Sequence, residues 1–335
     1  MNYNSYASHM KSRYGYRIFR VGVDAGFTCP NRLKSPSGAG CIYCDSQGAR
    51  AAYLRSSESR FRHDSGFEET IDSMACLPSD CKDYSFIFDF QDIKKQVDRG
   101  LEFLARRYKA SHFALYLQSF SNTFAPYEKL KELYDFATSL YPWESFIVST
   151  RPDCLDRRKI DLLASYKSSC REVCVELGLQ SGSDEILKAM NRGHDVKCFL
   201  DASKIVKNSG LKLCVHVLSG YPGEGEKELE QTVNAFNASG ADYIKIHNLN
   251  IAKDTALYEN YLCNKAFAPD VQSYIRSVSF VLRRISADVV VQRLLCETPS
   301  ARLVCPKDFP DKNTFIKMLN TYMKENNYRQ GDLFR

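Results

Sequence analysis

Short apolar runs alternate along this chain with segments whose apolar residues recur at helical spacing. Residues 17–23, Arg-Ile-Phe-Arg-Val-Gly-Val, predict a strand that ends at Asp24. From Asp92 to Lys109, Ile93, Val97, Leu101 and Leu104 share one helical face. That segment closes on Arg106, Arg107 and Lys109, cations that suit a helix C-terminus. Further strands are predicted over Phe113–Gln118, Phe146–Thr150, Val173–Leu179, Leu211–Leu218 and Tyr243–Asn248. Helices are predicted over Tyr127–Tyr141, Asp156–Tyr166, Asp184–Met190, Val196–Asn208 and Gly225–Ala238, the last two stopped by Gly210 and Gly240.

Six strands in alternation with helices imply a parallel sheet. Such a sheet either curls into a partial barrel or stays open and doubly wound. In a barrel, reacting groups gather at the C-terminal ends of several strands, whereas an open sheet uses one switch point. Cys29, Gln118, Thr150 with Arg151, Gln180, Gly220 and His247 stand at or just past nearly every strand end, which favours the barrel. The expected fold is therefore α/β, a partial (β/α)6 TIM-type barrel. After Asn250 the alternation stops. Helical patterns over Val271–Ile285 and Asn313–Asn326, with a strand at Val289–Leu294 between them, suggest a C-terminal helical extension. The expected division is an N-terminal extension at 1–16, a barrel core at 17–250 and the extension at 251–335.

A chain of 335 residues, 44% hydrophobic, can bury a sizeable core. Its formal net charge of +6 permits an anionic partner such as RNA without requiring one. Residues 1–15 are polar and Tyr/Ser-rich, unlike a secretory signal, and no apolar run is long enough to span a membrane, so a cytoplasmic location is expected. Residues 46–66 read as an exposed or mobile loop. Thirteen scattered cysteines suggest thiols and metal ligands, not a disulfide framework. Most of the outlying ones (Cys76, Cys81, Cys154, Cys170, Cys174, Cys198, Cys214, Cys263, Cys296, Cys305) are expected to be small buried hydrophobes.

Three cysteines differ from the rest. Cys29, Cys41 and Cys44 are spaced C-x11-C-x2-C in a Gly/Pro-containing loop directly after the first strand. Thiolates favour zinc and iron–sulfur clusters. A structural zinc is usually closed by a fourth ligand, for which His63, Asp45 or Cys76 would serve. A four-iron cubane held by three thiolates instead keeps one iron open to a ligand that is not protein. Other segments carry weaker signals. Gln118-Ser119-Phe120-Ser121-Asn122-Thr123 is either a polar turn or a ligand loop, and Gly220-Tyr221-Pro222-Gly223-Glu224 could be turn chemistry or a close backbone approach. Arg192-Gly193-His194 is a helix cap or a cationic loop. Glu176, in the middle of a buried strand, is costly unless paired, so it is either a structural partner of an arginine or a site residue. The same argument applies more weakly to His216.

Taken together, these segments resemble the radical S-adenosylmethionine superfamily over residues 17 to 250. Within it they are similar to the branch of the Elp3-like proteins and the oxygen-independent coproporphyrinogen dehydrogenases, and to a bacterial subgroup with the long first gap. The supporting motifs are Asp24 to Arg32, Gln118 to Thr123, Ser149-Thr150-Arg151-Pro152-Asp153, Glu176 to Ser181, Asn191 to His194 and His216 to Glu224. The superfamily's usual first gap is three residues, whereas here it is eleven. The resemblance implies that Cys29, Cys41 and Cys44 hold a [4Fe–4S] cluster whose open iron chelates S-adenosylmethionine. One electron would then cleave the cofactor to methionine and a 5′-deoxyadenosyl radical, which abstracts a substrate hydrogen. It also implies that Gln118, Ser119 and Asn122 meet the methionyl amino group, that Gln180 and Arg192 hold ribose and carboxylate, and that Gly220 and Pro222 shape the adenine wall. Thr150 and Arg151 would line the mouth. Glu176 and His216 join the cofactor-binding set, His216 standing where related proteins often carry aspartate.

The implied substrate is tRNA, through wobble-uridine modification from the carboxymethylaminomethyl to the aminomethyl stage. An electron donor such as flavodoxin or ferredoxin would be a partner, and no membrane would be involved. The basic clusters Arg106-Arg107-Lys109, Arg157-Arg158-Lys159 and Arg283-Arg284 could touch phosphates, and each is equally explained as a helix-terminal surface cluster. The competing readings are the same chemistry on a small molecule such as a porphyrinogen, and a non-catalytic zinc or cluster RNA-binding protein.

Overall fold

A computed structural model describes residues 2–33, 40–45, 51, 53–54, 87–263 and 270–335. Most of the 46–66 loop, with His63, and both Cys76 and Cys81 lie outside the described residues. In chain order, α1 (Tyr6–Tyr14) precedes β1 (Phe19–Val23), and one helical turn, α2 (Pro30–Leu33), follows in the cysteine loop. The alternating part comprises α3 (Phe90–Tyr108), β2 (Phe113–Leu117), α4 (Tyr127–Ser139), β3 (Ser145–Thr150), α5 (Arg157–Ser165), β4 (Glu172–Gln180), α6 (Asp184–Ala189), α7 (Val196–Asn208), β5 (Lys212–Ser219), α8 (Glu226–Ala238) and β6 (Tyr243–Asn248). Then come β7 (Ile251–Ala252), α9 (Ala256–Leu262), α10 (Val271–Arg284), β8 (Val290–Arg293), β9 (Leu303–Cys305) and α11 (Lys312–Glu325).

Seven strands form one parallel sheet in the order β1-β2-β3-β4-β5-β6-β8. The partial barrel expected from the sequence is present, but with seven strands instead of six. The predicted strand near 289–294 continues the barrel: Tyr243 of β6 stands beside Val290 of β8, with α10 as the crossover helix. β7 and α9 interrupt the alternation ahead of that last unit and hide it in the pattern. A small antiparallel pair, β7 with β9, forms a separate second sheet.

The main sheet curls far enough for its first and last strands to meet, since Arg20 of β1 hydrogen-bonds Gln292 of β8. Strand side chains alternate between two faces. Val21, Leu115, Phe146, Val175, Val215 and Ile244 point outward into the large core shared with the helices. Ala114, Tyr116, Ile147, Cys174, Cys214, Tyr243 and Val290 form an inner cluster, together with Met10 of α1 and Ile18. Most of these lie early in their strands, so α1 closes the N-terminal end of the barrel. Its N-cap is Ser5, whose Oγ accepts from Ser8 N–H, and Gly15 ends it in a left-handed conformation, φ 83°.

The expectation of buried outlying cysteines holds for Cys154, Cys170, Cys174 and Cys214. Cys198, Cys296 and Cys305 are only half-buried and Cys263 is exposed: Cys198 is in the first turn of α7, Cys263 ends α9, Cys296 lies on an irregular segment after β8, and Cys305 is on the small two-stranded sheet outside the barrel. No helix among the described residues is long and apolar enough to cross a membrane.

Candidate functional site

The cysteine loop lies over the C-terminal ends of the first strands. Cys29 and Cys41 are buried and Cys44 is half-buried. The loop is anchored by backbone bonds to parts distant in sequence. Ile42 N–H donates to Met190 carbonyl at 3.0 Å, and Leu257 N–H donates to Ile42 carbonyl at 2.8 Å. Arg302 holds the Asp45 carboxylate at 2.6 Å, which commits one candidate fourth ligand to a salt bridge.

Cations face the thiols. Arg192 Nη1 lies 3.7 Å from Cys41 Sγ, Asn31 Nδ2 3.5 Å from the same sulfur, and Arg32 Nη2 3.6 Å from Cys44 Sγ. Burial pushes the Cys41 thiol up, but Arg192 and Arg151 outweigh it and leave its pKa lowered. Cys44, with burial dominant over Arg32, is pushed up to about 11.

After β2, Ser119 (φ 72°) and Phe120 (φ 55°) both adopt the left-handed conformation, which costs a non-glycine residue on the order of 1 kcal/mol or more. The turn sets Phe120 under the Arg32 guanidinium, 4.8 Å from ring to cation. Asn122 secures it: its Nδ2 donates to the carbonyls of Ser119 and Ser149 at 3.0 and 2.9 Å, leaving Oδ1 buried without a partner among the described residues. Gln118 packs over Gly22 of β1, where any Cβ would collide with its amide. At the end of β4, Gln180 is also left-handed (φ 70°), and its amide lies with the Arg192 guanidinium over Gly178. Arg192 donates to Gly178 carbonyl at 3.0 Å. Arg151 is buried and forks onto Asp153 at 2.8 and 2.9 Å. Arg151 Nη1 and Arg192 Nε are buried and, among the described residues, unpartnered. Gly220 takes φ 99°. Its N–H, at 2.6 Å, and the Ser219 hydroxyl, at 2.7 Å, both donate to Glu224, which burial raises to about 7.

Gln118, Ser119, Asn122, Arg151, Gln180, Arg192 and Gly220 thus gather with the cysteines at the C-terminal ends of the strands. Thr150 does not face inward. It shares strand parity with the outward Phe146 and Val148, and its hydroxyl is 2.6 Å from that of Thr123. Glu176 and His216 sit deeper, inside the barrel. The Glu176 carboxylate is wholly buried and takes Arg20 at 2.9 Å, Lys245 at 2.6 Å, Tyr116 at 2.7 Å and His216 at 2.9 Å. Burial alone would raise Glu176, yet Lys245 and Arg20 hold it well below the usual carboxylate range. Burial lowers Lys245 to about 8 despite Glu176, and burial with Lys245 lowers His216 to about 4. Cys214 lies near enough to complete a metal-like trio with Glu176 and His216, but two cations already occupy the carboxylate. Arg20, Tyr116 and Lys245 escaped the sequence reading. Lys245 had a signal: Tyr243, Lys245 and His247 recur with period two in an otherwise apolar strand.

This combination of a curled parallel barrel, three thiols at its mouth and polar strand ends defines the class of barrel enzymes that bind a cofactor at a cysteine loop. Family comparison makes it specific: the Radical SAM superfamily model matches residues 37–236 and the Radical_SAM C-terminal domain model matches 241–325. The chain belongs to the radical SAM superfamily and is a radical SAM enzyme using a [4Fe–4S] cluster and S-adenosylmethionine. Protein YhcC of Escherichia coli K12 is 28% identical over 99% of this chain and 96% of its own length. The tRNA uridine(34) acetyltransferase of Methanocaldococcus infernus is 26% identical over 54% of this chain, but only 33% of its own length. Among solved structures, an Elp3 from the same archaeon aligns with TM-score 0.59 and 20% identity, covering 72% of this chain and 60% of that one; at that identity the likeness is one of fold.

The site fits those groups. Three buried or half-buried sulfurs supply soft ligands, Arg192 and Arg151 favour the Cys41 thiolate, and the buried Asn122, Arg151 and Arg192 atoms that lack a partner among the described residues offer an acceptor and donors to a zwitterionic ligand.

Proposed function

We propose that this enzyme modifies the wobble uridine of tRNA, acting on a carboxymethylaminomethyl group to give the aminomethyl stage, with reduced flavodoxin or ferredoxin as electron donor. The observation that carries this reading is the likeness of 54% of this chain to a protein named tRNA uridine(34) acetyltransferase. The net charge of +6 favours an anionic partner in the same direction. Two of the three basic clusters are poor phosphate anchors, being neutralised locally: Arg157 pairs with Asp161, Arg158 with Glu128, Arg283 with Asp332 and Arg284 with Glu230. Arg106 and Arg107, in the last turn of α3, lead into the start of β2 and so lie at the closed end of the barrel, away from the cysteine loop.

In this reading Cys29, Cys41 and Cys44 hold the cluster. When bound, the cluster and S-adenosylmethionine supply the one-electron chemistry that yields the 5′-deoxyadenosyl radical. The chain's own residues bind and orient. Asn122 Oδ1, with Gln118 and Ser119 beside it, receives the methionyl amino group, and the free Arg192 and Arg151 donors receive its carboxylate. Gln180 holds ribose, and the Gly220 turn, held by Glu224, shapes the adenine wall. Glu176 and His216 act from beneath by fixing the inner faces of β4 and β5. Thr150 supports the 119–123 loop through Thr123.

The test is a comparison of tRNA nucleosides from cells with and without the gene. Loss of the gene is expected to deplete the aminomethyl nucleoside and accumulate its carboxymethylaminomethyl precursor. Unchanged nucleosides would remove the tRNA reading and leave a small-molecule substrate. For the ligands, Cys29→Ala, Cys41→Ala and Cys44→Ala are each expected to abolish cofactor cleavage and lower bound iron. Cys263→Ala, at an exposed site, should do neither, and equal loss in all four would contradict the assignment.

A further inference from the structure

The wall formed by β6 and β8 carries polar side chains that the cofactor site does not use. Arg293 ends β8. The ladder shifts register there: Ile244 stands opposite Val291 and Lys245 opposite Arg293, so Gln292 is the extra residue of a bulge. Gln292 faces inward, where Arg20 and, at 3.4 Å, Cys214 hydrogen-bond it. Strict alternation from Gln292 would turn Arg293 outward among the helices. The bulge instead sets it opposite inward-facing Lys245. Interior groups feel its charge: after burial, Arg293 is the main influence lowering His247, and it also acts on His216 and Lys245.

The charges around it do not balance. Arg20, Lys245 and Arg293 are three cations, and Glu176, taken by the first two, is the carboxylate among them. Among the described residues, Glu172, Asp45 and Glu297 are engaged elsewhere or face solvent. Glu172 bonds Tyr243 at the closed end of the barrel, Asp45 pairs with Arg302, and Glu297 is exposed. Arg293 is half-buried and makes no ion pair among the described residues. Next to this group, His247 Nε2 is buried without a partner among the described residues, its ring 5.3 Å from that of His216. A partly buried guanidinium without a counter-charge is a costly arrangement that a bound anion would relieve.

We propose that Arg293, with His247 beside it, is a carboxylate subsite of the substrate pocket. The planar guanidinium fork suits a carboxylate held through two parallel hydrogen bonds, and a neutral His247 protonated on Nε2 adds a third donor. The proposal rests on the reading that the barrel mouth receives a substrate. It narrows that substrate to one whose carboxylate enters the barrel beneath the cofactor.

The test is thermal melting of the reconstituted holoenzyme with N-methylglycine, a minimal carboxymethylamine, up to about 100 mM, where a millimolar site saturates. N-methylglycinamide, which keeps the amine and lacks the carboxylate, is the control, and inorganic phosphate is the alternative anion. Wild type should show a saturable stabilisation by N-methylglycine and none by the amide. Arg293→Gln should weaken it at least tenfold, His247→Gln less, and Arg293→Lys to an intermediate degree, because the charge stays and the fork is lost. Melting of the unliganded variants close to wild type shows that they are folded. No saturable shift in wild type, equal binding by Arg293→Gln, or equal stabilisation by amide or phosphate would each overturn the subsite. Should tRNA nucleosides not change on loss of the gene while Arg293-dependent binding persists, the tRNA reading falls and the subsite stands. Should Arg293→Gln convert tRNA with wild-type kcat/KM, the subsite falls and the tRNA reading stands.

Discussion

An ionised carboxylate inside a sheet is tolerable only when both oxygens are filled, and Glu176 has four donors on its two oxygens. Removing it leaves Arg20 and Lys245 buried without a counter-charge. Glu176→Ala is therefore expected to cost about 3–5 kcal/mol in denaturant unfolding, and a loss below about 1 kcal/mol would show that the network does not hold the barrel. The pH dependence follows from its depressed folded pKa. The contribution is full above the ordinary glutamate pKa and is lost as pH falls through that value toward the lowered one. The variant should accordingly be less acid-sensitive than wild type. The expense of burying Glu176 was legible in the sequence, and so was an arginine as one solution. Its other partners were not, because Lys245, Tyr116 and His216 come from three different strands and meet only once the sheet curls. The three cysteines were legible by count and spacing alone. The inward or outward sense of Thr150 required the register of β3.

At the scale of elements, the strand ends owe their arrangement to positions without side chains. Gly178 is such a position: a Cβ there would collide with the amide of Gln180 and the guanidinium of Arg192. Gly178→Ala is expected to leave the barrel folded and its iron content little changed. It should weaken S-adenosylmethionine binding at least tenfold, as read by equilibrium binding to the reconstituted protein. Unchanged affinity would show that Gln180 and Arg192 do not contact the cofactor. The left-handed pair Ser119–Phe120 belongs to the same device, since it carries the chain from β2 under the cysteine loop. The sequence showed a polar turn there but not its handedness, because serine and phenylalanine carry no preference for that conformation. The bulge in β8 was equally hidden, being a property of pairing with β6.

At the scale of the whole molecule, the chain termini close the barrel. Met10 of α1 is buried in the inner cluster. Val291 N–H donates to Asn4 carbonyl at 2.8 Å, and Gln330 N–H to Asn2 carbonyl at 3.0 Å. Met10→Asp would set an unpaired charge among apolar side chains, so a loss of several kcal/mol is expected, against about 1 kcal/mol or less for Met10→Leu. Equal melting temperatures for the two would show that α1 does not plug the barrel. This role was not legible, because the N-terminal segment is polar and aromatic with one aliphatic anchor. The barrel itself was legible from polar residues at strand ends, and its seventh strand was visible as a strand but not as part of the sheet.

The most direct measurement of the central claim is anaerobic incubation of the reconstituted enzyme with S-adenosylmethionine, a reductant and tRNA from cells lacking the gene. The account predicts that the carboxymethylaminomethyl nucleoside disappears, the aminomethyl nucleoside replaces it, and 5′-deoxyadenosine accumulates in step with the conversion. Formation of 5′-deoxyadenosine with no change in the tRNA would contradict it.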